Sequence, residues 1–368
     1  MSAAASDADA RWMRVALALA ARGLGRTWPN PAVGCVIVSS AGRIVGQGWT
    51  QPGGRPHAEA KALAMAGAAA EGATAYVTLE PCSHHGETPP CAEALIAAKV
   101  ARVAVACGDP DARVSGRGLS MLRAADIEIT EGVLRDEAEY LNAGFLRRVR
   151  EGLPLVTLKL ATTLDGRIAT GTGESQWITG PAARRFGHYL RATHDAILIG
   201  RGTAAADDPS LTCRLAGLED RSPVRVVWDS GGVLPAGLNV FADGAAPTWR
   251  IAGPGAPPAP APAVSLTVPL DAAGQLDPRS ALAALAEHGI TRVLVEGGAE
   301  TAAALLKAGL VNRLAWFRAP ALIGGDGLAG IAHLGVARIA AMPSFRLREL
   351  RQLGGDVLEV YERTPTSF

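Results

Sequence analysis

The chain of 368 residues is poor in aromatic residues (5%) and in charged residues (19%), and its net charge is only +1. Such a balance gives no general reason to bind nucleic acid or an anionic membrane, and few aromatic rings are available to stack on bases. No apolar run reaches the roughly 20 residues that a membrane helix requires. The alanine-rich stretch 15–21 favours an amphipathic helix over a signal peptide. We therefore expect no nucleic-acid partner and no membrane span.

Cysteine is also scarce, with five residues in the whole chain. An odd, small number favours the reducing cytoplasm over a disulfide framework. Cys35, Cys107 and Cys213 lie in or beside apolar stretches, so we expect them to be buried packing residues. The other two belong to a motif with different chemistry.

Length and hydrophobicity predict two packed domains, since 48% of the residues are hydrophobic and 368 residues exceed one ordinary domain. A predicted helix over 137–150 ends in a basic cluster and is followed by Glu-Gly-Leu-Pro, which places the boundary so that the domains span 1–148 and 149–368. Both parts alternate strand and helix patterns, which is typical of α/β layers.

In the first part the patterns predict helices over 7–24, 58–70 and 92–98, the first capped by Ser6 or Asp7, and strands over 32–38, 44–48, 75–79 and 103–106. In the second part they predict strands over 155–161, 196–199, 224–227, 293–295 and 314–317, helices over 181–191, 280–288 and 301–307, and a surface loop over 253–263.

Three metal-ligand side chains and one carboxylate occur in two short motifs. His57 and Glu59 lie in His-Ala-Glu, and Cys82 and Cys91 lie in Pro-Cys-Ser-His-His-Gly-Glu-Thr-Pro-Pro-Cys. A hydrolytic zinc site needs three protein ligands and an open position for water, whose pKa the metal lowers from about 15.7 to roughly 7. Zinc nucleobase deaminases combine His-x-Glu with Pro-Cys-x-x-Cys. Eight residues rather than two separate the cysteines here, so the chemistry matches better than the spacing.

A structural zinc site is the alternative, because such sites usually recruit four protein ligands. His84 and His85 are the candidates for a fourth ligand. Glu59 follows His57 by two positions on the first turn of a predicted helix, so it can face a water molecule without binding the ion. Its predicted role is to move a proton from that water to a departing amine.

The second part carries arginines and a glycine pair that suit phosphate groups. Arg184, Arg185, Arg191, Arg201 and Arg214 crowd one region, and a guanidinium binds phosphate in a bidentate manner. Any one of these arginines could equally lie on a solvated helix face. Gly297 and Gly298 follow a predicted strand and precede a helix, where free N–H groups bind pyrophosphate, although an ordinary tight turn has the same pattern. The Rossmann fingerprint is not present.

The strings Pro-Asn-Pro-Ala-Val-Gly (29–34), His-Ala-Glu (57–59) and the cysteine loop (81–91) resemble a bifunctional family of riboflavin biosynthesis. In that family diaminohydroxyphosphoribosylaminopyrimidine deaminase is fused to 5-amino-6-(5-phosphoribosylamino)uracil reductase. The resemblance implies a cytidine-deaminase-like α/β/α domain in which Asn30 and His84 contact the pyrimidine. Residues 159–169, 174–181, 207–214 and 293–301 resemble the reductase half, which implies a dihydrofolate-reductase-like α/β domain that uses NADPH.

For the reductase half, the resemblance implies cofactor contacts from Ala161, Trp177, Thr203, Asp207, Ser230, Gly298, Ala299, Glu300, Thr301, Ala302, Ala303 and Ala304. It implies substrate contacts from Lys159, Ser175, Arg191, Leu211, Arg214 and Glu296. We expect Arg191 and Arg214 to hold the substrate phosphate and Lys159 to lie beside the reacting carbon.

The sequence thus predicts a cytoplasmic, homo-oligomeric enzyme with Zn²⁺ and NADPH as cofactors and phosphoribosyl pyrimidines as substrates. The first rival is a nucleic-acid editing deaminase, which would need a basic groove or a stacking platform. The second is a non-catalytic nucleotide sensor with structural zinc, which would release no ammonia when loaded with metal.

Overall fold

A computed structural model describes residues 5–85, 89–111 and 114–364 of the chain. Its contacts divide the chain into an N-terminal unit, Met1–Gly152, and a C-terminal unit, Leu153–Phe368. Gly152 ends the last helix of the first unit with a φ of 67°, a left-handed conformation that suits glycine, and Leu-Pro follows. The boundary predicted between residues 148 and 149 falls inside the last turn of this helix.

The N-terminal unit is a five-stranded sheet covered by helices. Its helices are α1 (Asp7–Ala21), α2 (Ala58–Ala66), α3 (Cys91–Ala97), α4 (Arg117–Ala124) and α5 (Arg135–Glu151). Its strands are β1 (Gly34–Val38), β2 (Ile44–Trp49), β3 (Thr74–Val77), β4 (Arg102–Val105) and β5 (Glu128–Glu131). The strand order is β2-β1-β3-β4-β5, with β1 antiparallel to both neighbours and β3, β4 and β5 parallel.

Helix α1 is fixed at its start and along its length. Ser6 caps it, accepting a hydrogen bond from Asp9 N at 3.2 Å while the Asp9 carboxylate accepts one from Ser6 N at 2.9 Å. The buried Asp9 also forms a bidentate pair with Arg102 of β4, with both N–O distances at 2.9 Å. At Gly34 the helix approaches so closely that an added Cβ would lie 1.9 Å from Ala16 O. Only glycine fits there.

The C-terminal unit is built on a larger, mixed sheet. Its helices are α6 (Pro181–Ala192), α7 (Arg201–Asp207), α8 (Asn239–Ala242), α9 (Pro278–Glu287) and α10 (Ala299–Lys307). Its strands are β6 (Leu155–Thr162), β7 (Arg167–Ala169), β8 (Ala196–Gly200), β9 (Val224–Trp228), β10 (Thr248–Ala252), β11 (Val264–Thr267), β12 (Arg292–Val295), β13 (Arg313–Arg318), β14 (Leu328–Ala329), β15 (Phe345–Leu353) and β16 (Asp356–Arg363). Nine strands form one sheet in the order β11-β10-β9-β8-β12-β6-β13-β16-β15, and β14 pairs with β7.

Seven strands of this sheet, from β11 to β13, are parallel, whereas β16 and β15 add an antiparallel hairpin at one edge. The predicted central strands and the predicted helices over 181–191, 280–288 and 301–307 are confirmed within one or two residues at most ends. The loop over 253–263 is also confirmed. Among the described residues, every helix is too short or too polar to traverse a lipid bilayer.

Candidate functional site

The predicted metal ligands converge in the N-terminal unit. His57 is the N-cap of α2 and Cys91 is the first residue of α3, while Cys82 lies in the connection that follows β3. The ligands therefore lie where strands give way to helix N-termini, whose dipoles favour thiolate over thiol. Residues 86–88 of the cysteine loop lie outside the described part of the chain.

The geometry of the three ligand atoms fits a zinc ion. His57 Nδ1 lies 3.3 Å from Cys91 Sγ and 3.6 Å from Cys82 Sγ, and all three ligand atoms lie within 4.8 Å of one another. A tetrahedral ion with Zn–S near 2.3 Å and Zn–N near 2.0 Å requires ligand atoms about 3.5–3.8 Å apart. A His/Cys/Cys donor set is also one that zinc prefers.

The surroundings of Cys82 favour its ionised form. Its sulfur interacts with the Cys91 thiol, with His57 and with the backbone N–H of Cys91, whose nitrogen lies at 3.3 Å. These hydrogen bonds, the one with the Cys91 thiol first, outweigh burial and lower the pKa of Cys82 to about 4. The site therefore offers a thiolate ligand at neutral pH.

Glu59 lies on the first turn of α2 and is 3% exposed. Burial raises the pKa of this carboxyl to about 7, although the charge of His57 opposes the shift. A group with a pKa near the working pH can both accept and release a proton. Glu59 is not part of the metal-ligand cluster.

Neither candidate for a fourth ligand joins the cluster within the described residues. His85 is exposed and its Nε2 lies 3.4 Å from a carboxylate oxygen of Glu93. His84 has a buried Nδ1 with no hydrogen-bond partner in the described part of the chain. The described side chains thus leave the fourth coordination position open.

A second buried glutamate, Glu80, supports the metal loop, which is the segment that carries Cys82 and Cys91. Glu80 precedes Pro81 and Cys82, and its carboxylate accepts hydrogen bonds from the backbone N–H groups of Gly116 (3.0 Å), Gly118 (3.1 Å) and Leu119 (3.5 Å) at the start of α4. Glu80 is not predictable from the sequence, because its partners lie more than thirty residues away along the chain.

A cleft of about 1720 Å³ lies in the C-terminal unit. Its size exceeds the roughly 300–1,000 Å³ of a pocket for one drug-sized ligand, so it has room for a dinucleotide and a substrate. It is lined by predicted residues from many elements, namely Lys159, Ala161, Ser175, Trp177, Arg191, Thr203, Asp207, Leu211, Arg214, Ser230, Glu296, Gly298, Ala299, Glu300, Thr301, Ala303 and Ala304.

Ala302 is the exception among the predicted cofactor residues. It is fully buried inside α10 and does not line the cleft. The reason is helical geometry: consecutive side chains of α10 point in different directions, and that of Ala302 packs into the core. Ala302 therefore supports the helix and does not face the cleft.

Three charged side chains meet within the cleft. Arg191 forms a bidentate pair with Glu296, with N–O distances of 2.8 and 2.9 Å, and Lys159 Nζ lies 3.6 Å from the same carboxylate. Burial opposes ionisation of Glu296, but Arg191 and then Lys159 outweigh it and lower the pKa of Glu296 to about 2. Arg191 also donates to Thr212 O at 3.0 Å. Most of its guanidinium is therefore engaged within the protein, contrary to the expectation that it holds phosphate.

Arg214 is more available, since it is exposed on the cleft and its guanidinium contacts Thr212 Oγ1 at 3.5 Å. Its backbone N–H donates to Nδ1 of His188 at 3.2 Å. Burial, followed by the charges of Arg191 and Arg214, lowers the pKa of His188 and favours a neutral ring at pH 7. His188 is not predictable as a site residue, because a single sequence does not distinguish it from an ordinary helix residue.

The turn between β12 and α10 is tightly packed. Gly298 caps α10 and its N–H donates to Thr203 Oγ1 at 3.0 Å. A Cβ added at Gly297 would lie 2.8 Å from Thr301 Cβ, so the backbone runs against that side chain. The first turn of α10 carries N–H groups without intrahelical acceptors at the cleft wall, as a bound phosphate requires.

Two protein-family models match the chain. The cytidine and deoxycytidylate deaminase zinc-binding region matches residues 6–107, and the RibD C-terminal domain matches residues 154–358. The riboflavin biosynthesis protein RibD of Escherichia coli K12 is 46% identical over 362 residues, which cover 95% of this chain and 98% of that protein. The RibD of Bacillus amyloliquefaciens is 44% identical and covers 94% of each chain.

Two solved structures extend the similarity to the fold. Acinetobacter baumannii RibD is 38% identical, with a TM-score of 0.87 over 97% of this chain and 99% of that one. A diaminohydroxyphosphoribosylaminopyrimidine deaminase/5-amino-6-(5-phosphoribosylamino)uracil reductase from Thermotoga maritima is 35% identical, with the same TM-score and coverage. The predicted fold class, a cytidine-deaminase-like domain joined to a reductase domain, is confirmed.

Proposed function

Because the chain belongs to the RibD family of riboflavin-biosynthesis proteins, we propose that its two units catalyse consecutive steps of that synthesis. The first is hydrolytic deamination of 2,5-diamino-6-(5-phosphoribosylamino)pyrimidin-4(3H)-one by the N-terminal unit. The second is NADPH-dependent reduction of the ribosyl group of 5-amino-6-(5-phosphoribosylamino)uracil by the C-terminal unit. The observation that carries the assignment is the cluster of His57, Cys82 and Cys91, with the buried Glu59 on the first turn of the helix that His57 caps.

In the deaminase unit, His57, Cys82 and Cys91 hold the metal and Glu59 moves protons. Zinc, when bound, supplies a water of lowered pKa at the open position. Glu59 would take a proton from the attacking water and deliver it to the amine nitrogen, so that the carbon–nitrogen bond breaks as the carbon–oxygen bond forms and ammonia leaves. Its burial, which raises the pKa of the carboxyl, favours uptake of a proton.

Asn30 and His84 are proposed to bind the pyrimidine. The support for His84 is its buried Nδ1, which lacks a hydrogen-bond partner among the described residues. A buried polar atom without a partner costs about 1–3 kcal/mol, and a heterocyclic ring could supply one. Asn30 is half-buried beside the loop that leads into His57.

In the reductase unit, the cleft binds both ligands and orients them. NADPH, when bound, supplies the hydride, so the protein contributes position and electrostatics. We place its phosphates at Gly298 and the first turn of α10, and its remaining parts along Ala161, Trp177, Thr203, Asp207 and Ser230. Ala302 supports this wall from within.

The substrate is proposed to lie between Arg214 and the group formed by Lys159, Arg191 and Glu296. Arg214 binds its phosphate, because its guanidinium is exposed to the cleft. Arg191 holds Glu296 ionised, and Lys159 and Glu296 face the ribosyl carbon that receives the hydride. Ser175 and Leu211 line the same part of the cleft.

We also propose that the protein is cytoplasmic and forms a homo-oligomer. The support for the homo-oligomer is the edge strand β15, on which Leu347 and Leu350 are 51% and 63% exposed. An exposed edge with apolar side chains commonly pairs with another chain. Light scattering after size-exclusion chromatography tests this proposal, and a monomeric mass would contradict it.

The two-step proposal is tested by giving the purified protein the diaminopyrimidinone ribosyl phosphate, first without and then with NADPH. We expect ammonia release in the first stage and oxidation of NADPH only in the second. Oxidation of NADPH without prior ammonia release, or no ammonia from zinc-loaded protein, would contradict it.

A further inference from the structure

The backbone next to Asn30 is held by one buried amide from a distant helix. Asn142 of α5 is 3% exposed. Its Oδ1 accepts a hydrogen bond from Ala32 N and its Nδ2 donates one to Ala32 O, both at 3.0 Å. Because 110 residues separate the two positions, this pair of bonds ties the segment to α5 across the unit.

Other contacts fix the same segment from different sides. Val33 N donates to Thr50 Oγ1 at 3.0 Å, and Thr50 N donates to Val33 O at 2.9 Å. A Cβ added at the buried Gly54 would lie 2.0 Å from Asn30 Nδ2. The loop that precedes His57 therefore packs directly against the Asn30 amide, and a small movement of the Asn30 backbone would displace that amide.

From this arrangement we propose that Asn142 is a positioning residue for the deamination reaction. It fixes the backbone of Ala32 and thereby places the Asn30 amide where the pyrimidine binds. The inference rests on the proposed role of Asn30 as a substrate contact. The position requires an amide, because one side chain must accept from Ala32 N and donate to Ala32 O at once. A carboxylate at position 142 could still accept from Ala32 N, but it has no N–H to donate to Ala32 O and would place a negative charge against that carbonyl.

The first experiment compares Asn142→Asp with the wild-type full-length, zinc-loaded protein. We expect the deaminase KM to rise by about 10- to 100-fold, as for one or two lost hydrogen bonds. We expect kcat to change by less than about twofold, with one zinc per chain and normal reduction of the deaminated substrate. An unchanged KM would overturn the proposal. A lower kcat at a normal KM, which partial unfolding would cause, would also overturn it.

Asn312→Asp is the matched control. Asn312 Oδ1 accepts a hydrogen bond from Val156 N at 2.9 Å in the C-terminal unit. The same substitution there introduces a carboxylate outside the unit that carries the deaminase residues. It should leave the deaminase KM unchanged. An equal rise in this variant would show a non-specific effect and count against the proposal.

A double-mutant cycle then asks whether Asn142 acts through Asn30. If it does, Asn30→Ala/Asn142→Asp has the KM of Asn30→Ala alone, whereas additive increases would overturn the inference. An unchanged KM in Asn30→Ala by itself would refute the proposed substrate contact, and the role of Asn142 with it. If Asn30→Ala raises KM and Asn142→Asp does not, only the positioning role of Asn142 is refuted.

A second variant covers the case in which Asn142→Asp does not fold. Thr50→Val removes the acceptor of the Val33 N–H and loosens the same segment from its other side. The same rise in KM at near-normal kcat is expected, and its absence would overturn the proposal.

Discussion

Glu59 and Glu80 are buried carboxylates of one unit, but their surroundings give them different chemistry. Burial raises the pKa of Glu59 to about 7, so this group can exchange a proton near neutral pH. The oxygens of Glu80 accept three backbone N–H groups of a helix start, an arrangement that fixes the side chain in place. One residue is therefore suited to proton transfer and the other to support.

Replacing Glu59 by Gln tests the proton-transfer role. The amide keeps the size of the side chain but cannot accept the proton, so deamination should fall by about 10²- to 10⁴-fold. Zinc measured by atomic absorption should remain at one per chain, and reduction of the deaminated substrate should be normal. Glu93→Gln, on the neighbouring helix α3, is the control and should be active. Loss of zinc from Glu59→Gln would contradict the assignment.

Replacing Arg191 tests whether it neutralises a buried charge. Arg191→Met leaves Glu296 ionised beside Lys159 alone, and we expect the C-terminal unit to lose about 3 kcal/mol of its free energy of unfolding. Arg191→Met/Glu296→Leu should be less destabilised, because no unpaired carboxylate remains. Calorimetry measures both variants against the wild type. Equal losses in the single and double variants would contradict the account.

Residues whose role depends on local pattern were predictable from the sequence. His57, Cys82 and Cys91 form the predicted metal cluster, since two short motifs specify them. Glu80 and Asn142 were not predictable, because their partners are backbone groups far along the chain. The pairing of Arg191 with Glu296 joins positions 105 residues apart, and no local signal reveals it.

At the scale of elements, helix α4 helps to hold the metal loop although it carries none of the ligands. Its N-terminal N–H groups bind Glu80, two residues before Cys82. At Gly118 an added Cβ would lie 2.0 Å from Pro81 O, so the helix also touches the loop backbone. The start of α4 and the metal loop therefore pack directly against each other.

Replacing Glu80 by Gln should weaken this packing. The amide N–H₂ would face the backbone N–H groups of Gly116 or Gly118, which are also donors, so the metal loop should shift. The zinc affinity should then fall by about 10- to 100-fold, as for other residues that orient metal ligands. Competition with a chromogenic chelator measures the affinity. Glu71→Gln, an exposed position, should bind zinc normally. An unchanged affinity in Glu80→Gln would remove the supporting role.

Elements with strong periodicity or flanking turn residues were predicted well, such as α6, β8 and β12. Helix α1 ends at Ala21 rather than Leu24, and α2 ends at Ala66 before a 3₁₀ turn over Gly67–Ala70. The hairpin of β15 and β16 was missed. Its strand Phe345–Leu353 is largely exposed, and its leucines at 347, 350 and 353 recur every third residue, so the period-two alternation that marks a strand is absent.

At the scale of the whole molecule, the residues proposed for the two reactions are divided between the two units. The metal cluster and Glu59 belong to Met1–Gly152, and every residue that lines the cleft belongs to Leu153–Phe368. The composition and the alternating patterns predicted both α/β domains. Supporting residues such as Glu80 and Asn142 could be identified only from the folded structure, because their partners are distant along the chain.

Removal of the metal should therefore separate the two activities. After treatment with a chelator, the protein should release no ammonia from the diaminopyrimidinone but should reduce the deaminated substrate at its normal rate. Added zinc should restore deamination. Parallel loss of both activities would show that the reductase unit also depends on the metal.

The most direct test of the account is zinc K-edge X-ray absorption on the zinc-loaded protein without substrate. It determines the ligand atoms around the ion. We predict one nitrogen and two sulfurs from His57, Cys82 and Cys91, with a single exchangeable oxygen from water in the fourth position. A fourth ligand from a protein side chain, such as a second imidazole nitrogen from His84, would contradict the deaminase assignment.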